Sequence, residues 1–166
     1  MNTPEDVVVL APPQFLELLA SGEEGRLVLG LMGITPEELP LTQVFSSSRA
    51  RLAEHRLAST VAAATEHLQI VAPVGGTART VFAFRHGDTC AVFRVGADDT
   101  LGHTCTVAEA AVLLDETIEC LMGAHVDWSV AWHSDDAMHQ VDVNPDGTVQ
   151  GEPQVSLEEL LTAFAA

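Results

Sequence analysis

The side chains able to do chemistry crowd into one stretch, residues 124–139 (AHVDWSVAWHSDDAMH), where imidazoles and carboxylates interleave with apolar residues. Both groups are ligands of divalent transition metals, so the first chemistry to weigh is a metal site, with a metal- or ligand-binding enzyme as its consequence. His125, Asp127 and His133 fall on the polar face of one alternating strand, Asp135 and Asp136 in the turn after it, and His139 at the start of the returning strand. Strand geometry limits this set. His125 and His133 are eight residues apart, about 26 Å at ~3.3 Å per residue, and cannot share an ion. The candidate ligands are therefore His133, Asp135, Asp136 and His139, gathered by a hairpin over residues 132–139 around one divalent metal. The competing structural reading is a solvated strand face followed by an acidic turn, the commoner arrangement in an acidic protein.

Thiols supply a second group. Cys90, Cys105 and Cys120 are spaced by fifteen residues, with no C-x-x-C pair. If the turn after Val95 is centred on Ala97-Asp98, Cys90 lies opposite Cys105 with His103 on the same face. That set offers two thiols and an imidazole to zinc, or a Cys-His pair to nucleophilic catalysis. A zinc site wants a fourth ligand and tighter spacing, and buried thiols more often pack as small hydrophobes, here against Val81, Val92 and Leu101. His55 and His67, read as residues of a long helix, and His86 at a turn are expected at the surface and not as ligands. Gly30 and Gly33 match neither the dinucleotide fingerprint nor a P-loop, and the chain has no Lys to reach a phosphate.

Twenty-four acidic residues stand against seven basic ones, giving a net charge of −17 over 166 residues. A field of that sign repels phosphate backbones, which excludes nucleic acid and anionic membranes as charge-driven partners. It suits solubility or a basic protein partner. No run approaches the roughly 18 apolar residues of a membrane span. The N-terminal MNTPEDVVVLAPP lacks the positive charge and apolar length of a secretory signal, so a cytoplasmic protein with reduced thiols is expected. All seven basic residues are Arg, and Lys and Tyr are absent, a composition that reads as high-GC bacterial codon usage.

Positioning these groups falls to one α+β domain, residues 1–166. Asp6 to Ala11 reads as a short strand, and Pro12-Pro13 open a helix that stops near Ser21-Gly22. Residues 26–34 (RLVLGLMGI) fit either a buried strand or a helix, and Pro36 and Pro40 bracket a helical turn. The longest helix-like stretch runs from Leu41 to Leu68, with Leu52, Leu57, Val61 and Leu68 on one face. From Gln69 to Thr106 the chain reads as a meander, in which QIVAPV is edge-like because Pro73 has no amide hydrogen to donate. A two-residue turn centred on His86-Gly87 puts Phe82, Phe84, Ala91, Phe93 and Val95 on the face that covers the long helix. Thr106 to Glu109 is a capping box for a helix stopped by Gly123, and Ser156 to Glu159 is a second one for the terminal helix. Between these helices, residues 125–133 alternate as a strand with Trp128 and Trp132 inward, and Met138 to Val143 return. The fold class is an antiparallel meander sheet packed against a long helix and two capped amphipathic helices.

The order of a long helix, then TVFAFRHGDTCAVFRVGADDTLGHTCT, then TVAEAAVLLDETIECL resembles one half of the EspG family over the region from Arg49 to Met122. That resemblance implies a cytosolic chaperone of actinobacterial type VII secretion, built from two related α+β halves, that binds a secreted helical protein without catalysis. The chain is too short for both halves, so a homodimer would stand in for the pair. The leading expectation is thus a non-enzymatic, chaperone-like adaptor without a cofactor, binding a basic or helical protein. The alternative is the divalent-metal or ligand site at the 132–139 hairpin.

Overall fold

Pro12 and Pro13 lose no amide hydrogen bond at a helix start, and α1 (Pro12–Leu19) begins on them directly after strand β1 (Val8–Leu10). The computed structural model describes residues 7–31, 48–74, 77–96, 100–134, 137–146, 148–151 and 156–165. Over residues 26–31 the ambiguous stretch is helix. Helix α2 spans Glu23–Leu31 and carries Glu23 and Glu24 in its first turn, where carboxylates meet the positive end of the helix dipole. Residues 32–34 and the Pro36–Pro40 turn lie outside the described residues.

The long helix is shorter than its apolar spacing suggests. Helix α3 covers Ser48–Ala63, residues 41–47 fall outside the described residues, and Glu66, His67 and Leu68 begin strand β2 (Glu66–Val74). Thr65 already donates its backbone N–H to Arg85 O, so sheet pairing overrides the helical periodicity there. Leu57 and Val61 are fully buried as expected, whereas Leu52 is 52% exposed.

Strands β2, β3 (Thr77–His86), β4 (Thr89–Val95) and β5 (Thr100–Thr106) form the meander, and the seven described strands lie in the order β1-β5-β4-β3-β2-β6-β7, antiparallel throughout. The hairpin of β6 (Trp128–Ser134) and β7 (Ala137–Val143) adds to the far side of β2. Strand β2 is therefore interior over Glu66–Val71, and Pro73 lies beyond the segment that pairs with β6. The β3–β4 turn is centred on Gly87-Asp88, one residue later than the sequence suggests. That moves the register by two positions and preserves every face, so Phe82 pairs with Phe93 and Phe84 with Ala91 on the side facing α3.

Helices cover both faces. On one, Phe82, Phe84 and Phe93 pack with Phe15, Leu29 and Leu57 of α1, α2 and α3. On the other, Ile70, Val92 and Val130 pack under α4 (Val107–Ala124) and α5 (Leu157–Ala165). The hydroxyl half of each predicted capping box forms: Thr106 Oγ1 accepts the Glu109 amide hydrogen at 3.2 Å, and Ser156 Oγ accepts that of Glu159 at 3.1 Å. Helix α4 runs past Gly123, and the left-handed residue that ends it is His125, at φ 54°. His125 and Asp127 thus precede β6 instead of lying on it. No helix among the described residues is long and apolar enough to cross a membrane. The fold is α+β, with the meander between the long helix and the two capped ones.

Candidate functional site

Three polar residues from three elements meet on the sheet face covered by α1–α3. His67 of β2 pairs directly with His133 of β6, so their side chains rise side by side, ring centroids 5.6 Å apart. Glu24 descends from the first turn of α2 and receives both rings. His67 Nδ1 is 3.0 Å from Oε2, and His133 Nδ1 is 2.9 Å from each carboxylate oxygen. Close backbone packing sets the position of Glu24: Gly22 abuts Val61 and Gly25 abuts Leu19, which presses the start of α2 against α3 and α1. His67 is completely buried, and the Glu24 and His133 side chains keep 6% and 12% of their exposure.

Burial pushes the pKa of His67 below 6.5, with the hydrogen bond and charge of Glu24 opposing and His133 adding a little. The imidazole is neutral near pH 7, and with hydrogen on Nδ1 it donates to the carboxylate. Its other nitrogen, Nε2, is buried with no hydrogen-bond partner among the described residues. Among the described residues, only Glu24, His67 and His133 bring three metal-donor atoms within 4.8 Å of one another.

The hairpin candidates are distributed differently. His133 pairs with Met138, whereas His139 pairs with Trp132 and stacks on it at 5.8 Å, so the two imidazoles stand on opposite faces of the sheet. Asp135 and Asp136 lie outside the described residues. His133 instead joins Glu24, which the sequence left unmarked, and His67, which periodicity assigned to a helix surface. One short signal pointed there: from His67 to Ile70 polar and apolar residues alternate with period two, as in a strand.

The thiols stand where the register argument puts them. Cys90 pairs with Cys105, and His103 shares their face opposite Val92. Both thiols are buried in the core beside Val81 and Val92. Burial raises Cys90 to about 11 and Cys105 to about 12, with the neighbouring Cys90 thiol the next contributor to Cys105. A thiol held protonated in this way is a poor nucleophile.

Between α4 and α5 lies a cavity of about 150 Å³, lined by Ala111, Leu114 and Asp115 of α4 and Leu161, Thr162 and Phe164 of α5. Asp115, Glu116 and Glu119 of α4 and Glu158 and Glu159 of α5 are exposed, and neither helix contains a Lys or Arg. Arg85 holds the end of α5 in place: its Nη1 donates to the Phe164 carbonyl, while its Nε lies 3.4 Å from Glu66, which also accepts from Trp132 Nε1. Compared with known proteins, the chain matches no family model and no curated sequence.

Proposed function

We propose that the protein is a non-enzymatic, chaperone-like adaptor of the cytoplasm that receives a basic helical segment of another protein between α4 and α5. The observation that carries this reading is a cavity, lined in part by Ala111, Leu114, Leu161 and Phe164, between two helices that bear acidic residues and no basic one. Helix-in-groove recognition needs these two parts. Buried apolar contacts supply affinity, and opposite charge steers the encounter and fixes orientation. A cavity of this volume takes a benzene-sized anchor side chain. The resemblance to one half of the EspG family implies a partner of the same kind.

Two synthetic peptides of one composition and charge test it. One carries Leu at i, i+3, i+4 and i+7 among Lys residues, and the other has the same residues scrambled. Titrated into isotope-labelled protein, the amphipathic peptide should shift the amide resonances of Ala111, Leu161 and Thr162, and Leu161→Asp should abolish the shifts. Equal effects from both peptides, or shifts away from these residues, would mean only non-specific attraction to an acidic surface.

A further inference from the structure

We infer that Glu24, His67 and His133 form a binding site for one divalent transition-metal ion of the zinc class. The site lies on the opposite face of the sheet from the α4–α5 groove and does not depend on the adaptor reading.

The donor set selects the class of ion. Two imidazole nitrogens and one carboxylate suit zinc and its first-row neighbours, whereas calcium takes about six to eight oxygens and magnesium keeps several waters. The spacing fits as well. The nitrogen–oxygen separations are 2.9 and 3.0 Å. A tetrahedral ion with bonds of about 2.0–2.1 Å holds its donors about 3.3 Å apart, so each nitrogen–oxygen pair need open only a few tenths of an ångström, and all three donor atoms already lie within 4.8 Å of one another. The frame is already built: direct β2–β6 pairing aligns the rings, and the glycine contacts of α2 hold the carboxylate above them.

Charge agrees with this. The Glu24 side chain is 6% exposed, and its side-chain partners among the described residues are two imidazoles, so a bound cation supplies countercharge to a buried carboxylate. An ion that takes the Nδ1 lone pairs leaves the hydrogen of each imidazole on Nε2. His133 is the most exposed of the three side chains, which leaves water on its side to complete the ion's shell.

The test uses the untagged full chain, stripped with a chelator and dialysed, then titrated with Zn²⁺ against a chromophoric competitor and separately with Co²⁺. One ion per chain and the intense visible bands of tetrahedral Co²⁺ are expected. His133→Asn, chosen because His133 is the most exposed member, should weaken Zn²⁺ binding by at least about tenfold, while His139→Asn on the other face should not change it. Nitrogen NMR of wild-type protein gives an answer independent of variant folding: Zn²⁺ should move the hydrogen of His67 and His133 to Nε2. Less than about a tenth of an ion per chain after mild purification and metal addition, or equal affinity in His133→Asn, or unchanged tautomers in a protein that does bind Zn²⁺, overturns the assignment.

Discussion

His67 and His133 are 66 positions apart in the chain yet directly paired, their rings 27° from parallel, with Glu24 spanning both Nδ1 atoms. The β6–β7 hairpin therefore joins β2 with a polar bridge on one face, while Leu68 and Trp132 stand opposite each other on the other. That bridge ties the first turn of α2 to the sheet, beside the packing of Leu29 in the same core.

Truncating its acceptor tests how much the bridge holds. Glu24→Ala in metal-free protein leaves two imidazole donors without their carboxylate, one of them in a fully buried ring. Hydrogen bonds to a charged group contribute about 1.5–3 kcal/mol each, so a loss of about 3 kcal/mol is expected. For a chain of this size that lowers the melting temperature by about 6–12 °C. Glu24→Gln, which keeps one carbonyl acceptor, should lose about half as much. Calorimetry showing Glu24→Ala within about 1 kcal/mol of wild type would remove the bridge from the account of stability.

Acid should weaken the fold through His67. Its folded pKa lies below 6.5 because burial disfavours the imidazolium. As pH falls, the unfolded chain takes up this proton first, so the contribution is whole above about 6.5 and is lost progressively below it. Glu24 and His133 face the ring from α2 and β6, and the Glu24 bond only partly offsets the burial. Urea midpoints at about pH 7.5 and about pH 5.5 should fall further in wild type than in His67→Gln. Equal falls in the two proteins would assign the acid sensitivity to other groups.

Apart from α2, which the sequence leaves open between strand and helix, the element order from β1 to α5 is legible because capping boxes, Gly turns and period-two runs are local signals. The faces of Phe82, Phe84, Phe93, Cys90 and Cys105 followed too, since strand parity survives a two-residue change of register. The bridge was not legible. Helical spacing from Leu57 through Val61 to Leu68 extended the long helix over His67, and only pairing with β3 and β6 decides otherwise. Glu24 looks like an ordinary acidic residue in a first helical turn, and its burial arises from tight approaches to Leu19 and Val61 that no local pattern encodes. His133 was singled out, but with His139, because a hairpin brings residues close without saying which face each one takes.

Thiol reactivity should separate the three cysteines. Cys90 and Cys105 are buried and raised to about 11 and about 12, while Cys120 is exposed on α4. Native protein treated with iodoacetamide at about pH 8 should be alkylated at Cys120 alone, and urea should expose the other two. Because both folded values exceed the 9.0 of an unfolded thiol, their contribution to stability is whole below about pH 9 and is lost as pH rises further. Rapid native labelling of Cys90 would mean that the core beneath α4 opens far more often than its packing implies.

Two glycines of α2 should respond to the same substitution with opposite sign. A Cβ at Gly25 would stand 1.9 Å from the Leu19 carbonyl oxygen, a backbone atom that yields only if α1 and α2 separate. Gly25→Ala should cost about 3 kcal/mol or more and displace Glu24 from the rings. At Gly30 nothing lies within 4 Å of the added carbon, and the residue is exposed within the helix. Gly30→Ala should therefore raise stability by about 0.5–1 kcal/mol, because alanine has less backbone freedom to lose on folding. Urea denaturation of the two single variants measures both. Comparable losses at the two positions would mean that α2 tolerates no change anywhere, whereas loss at Gly25 alone assigns the sensitivity to its contact with Leu19.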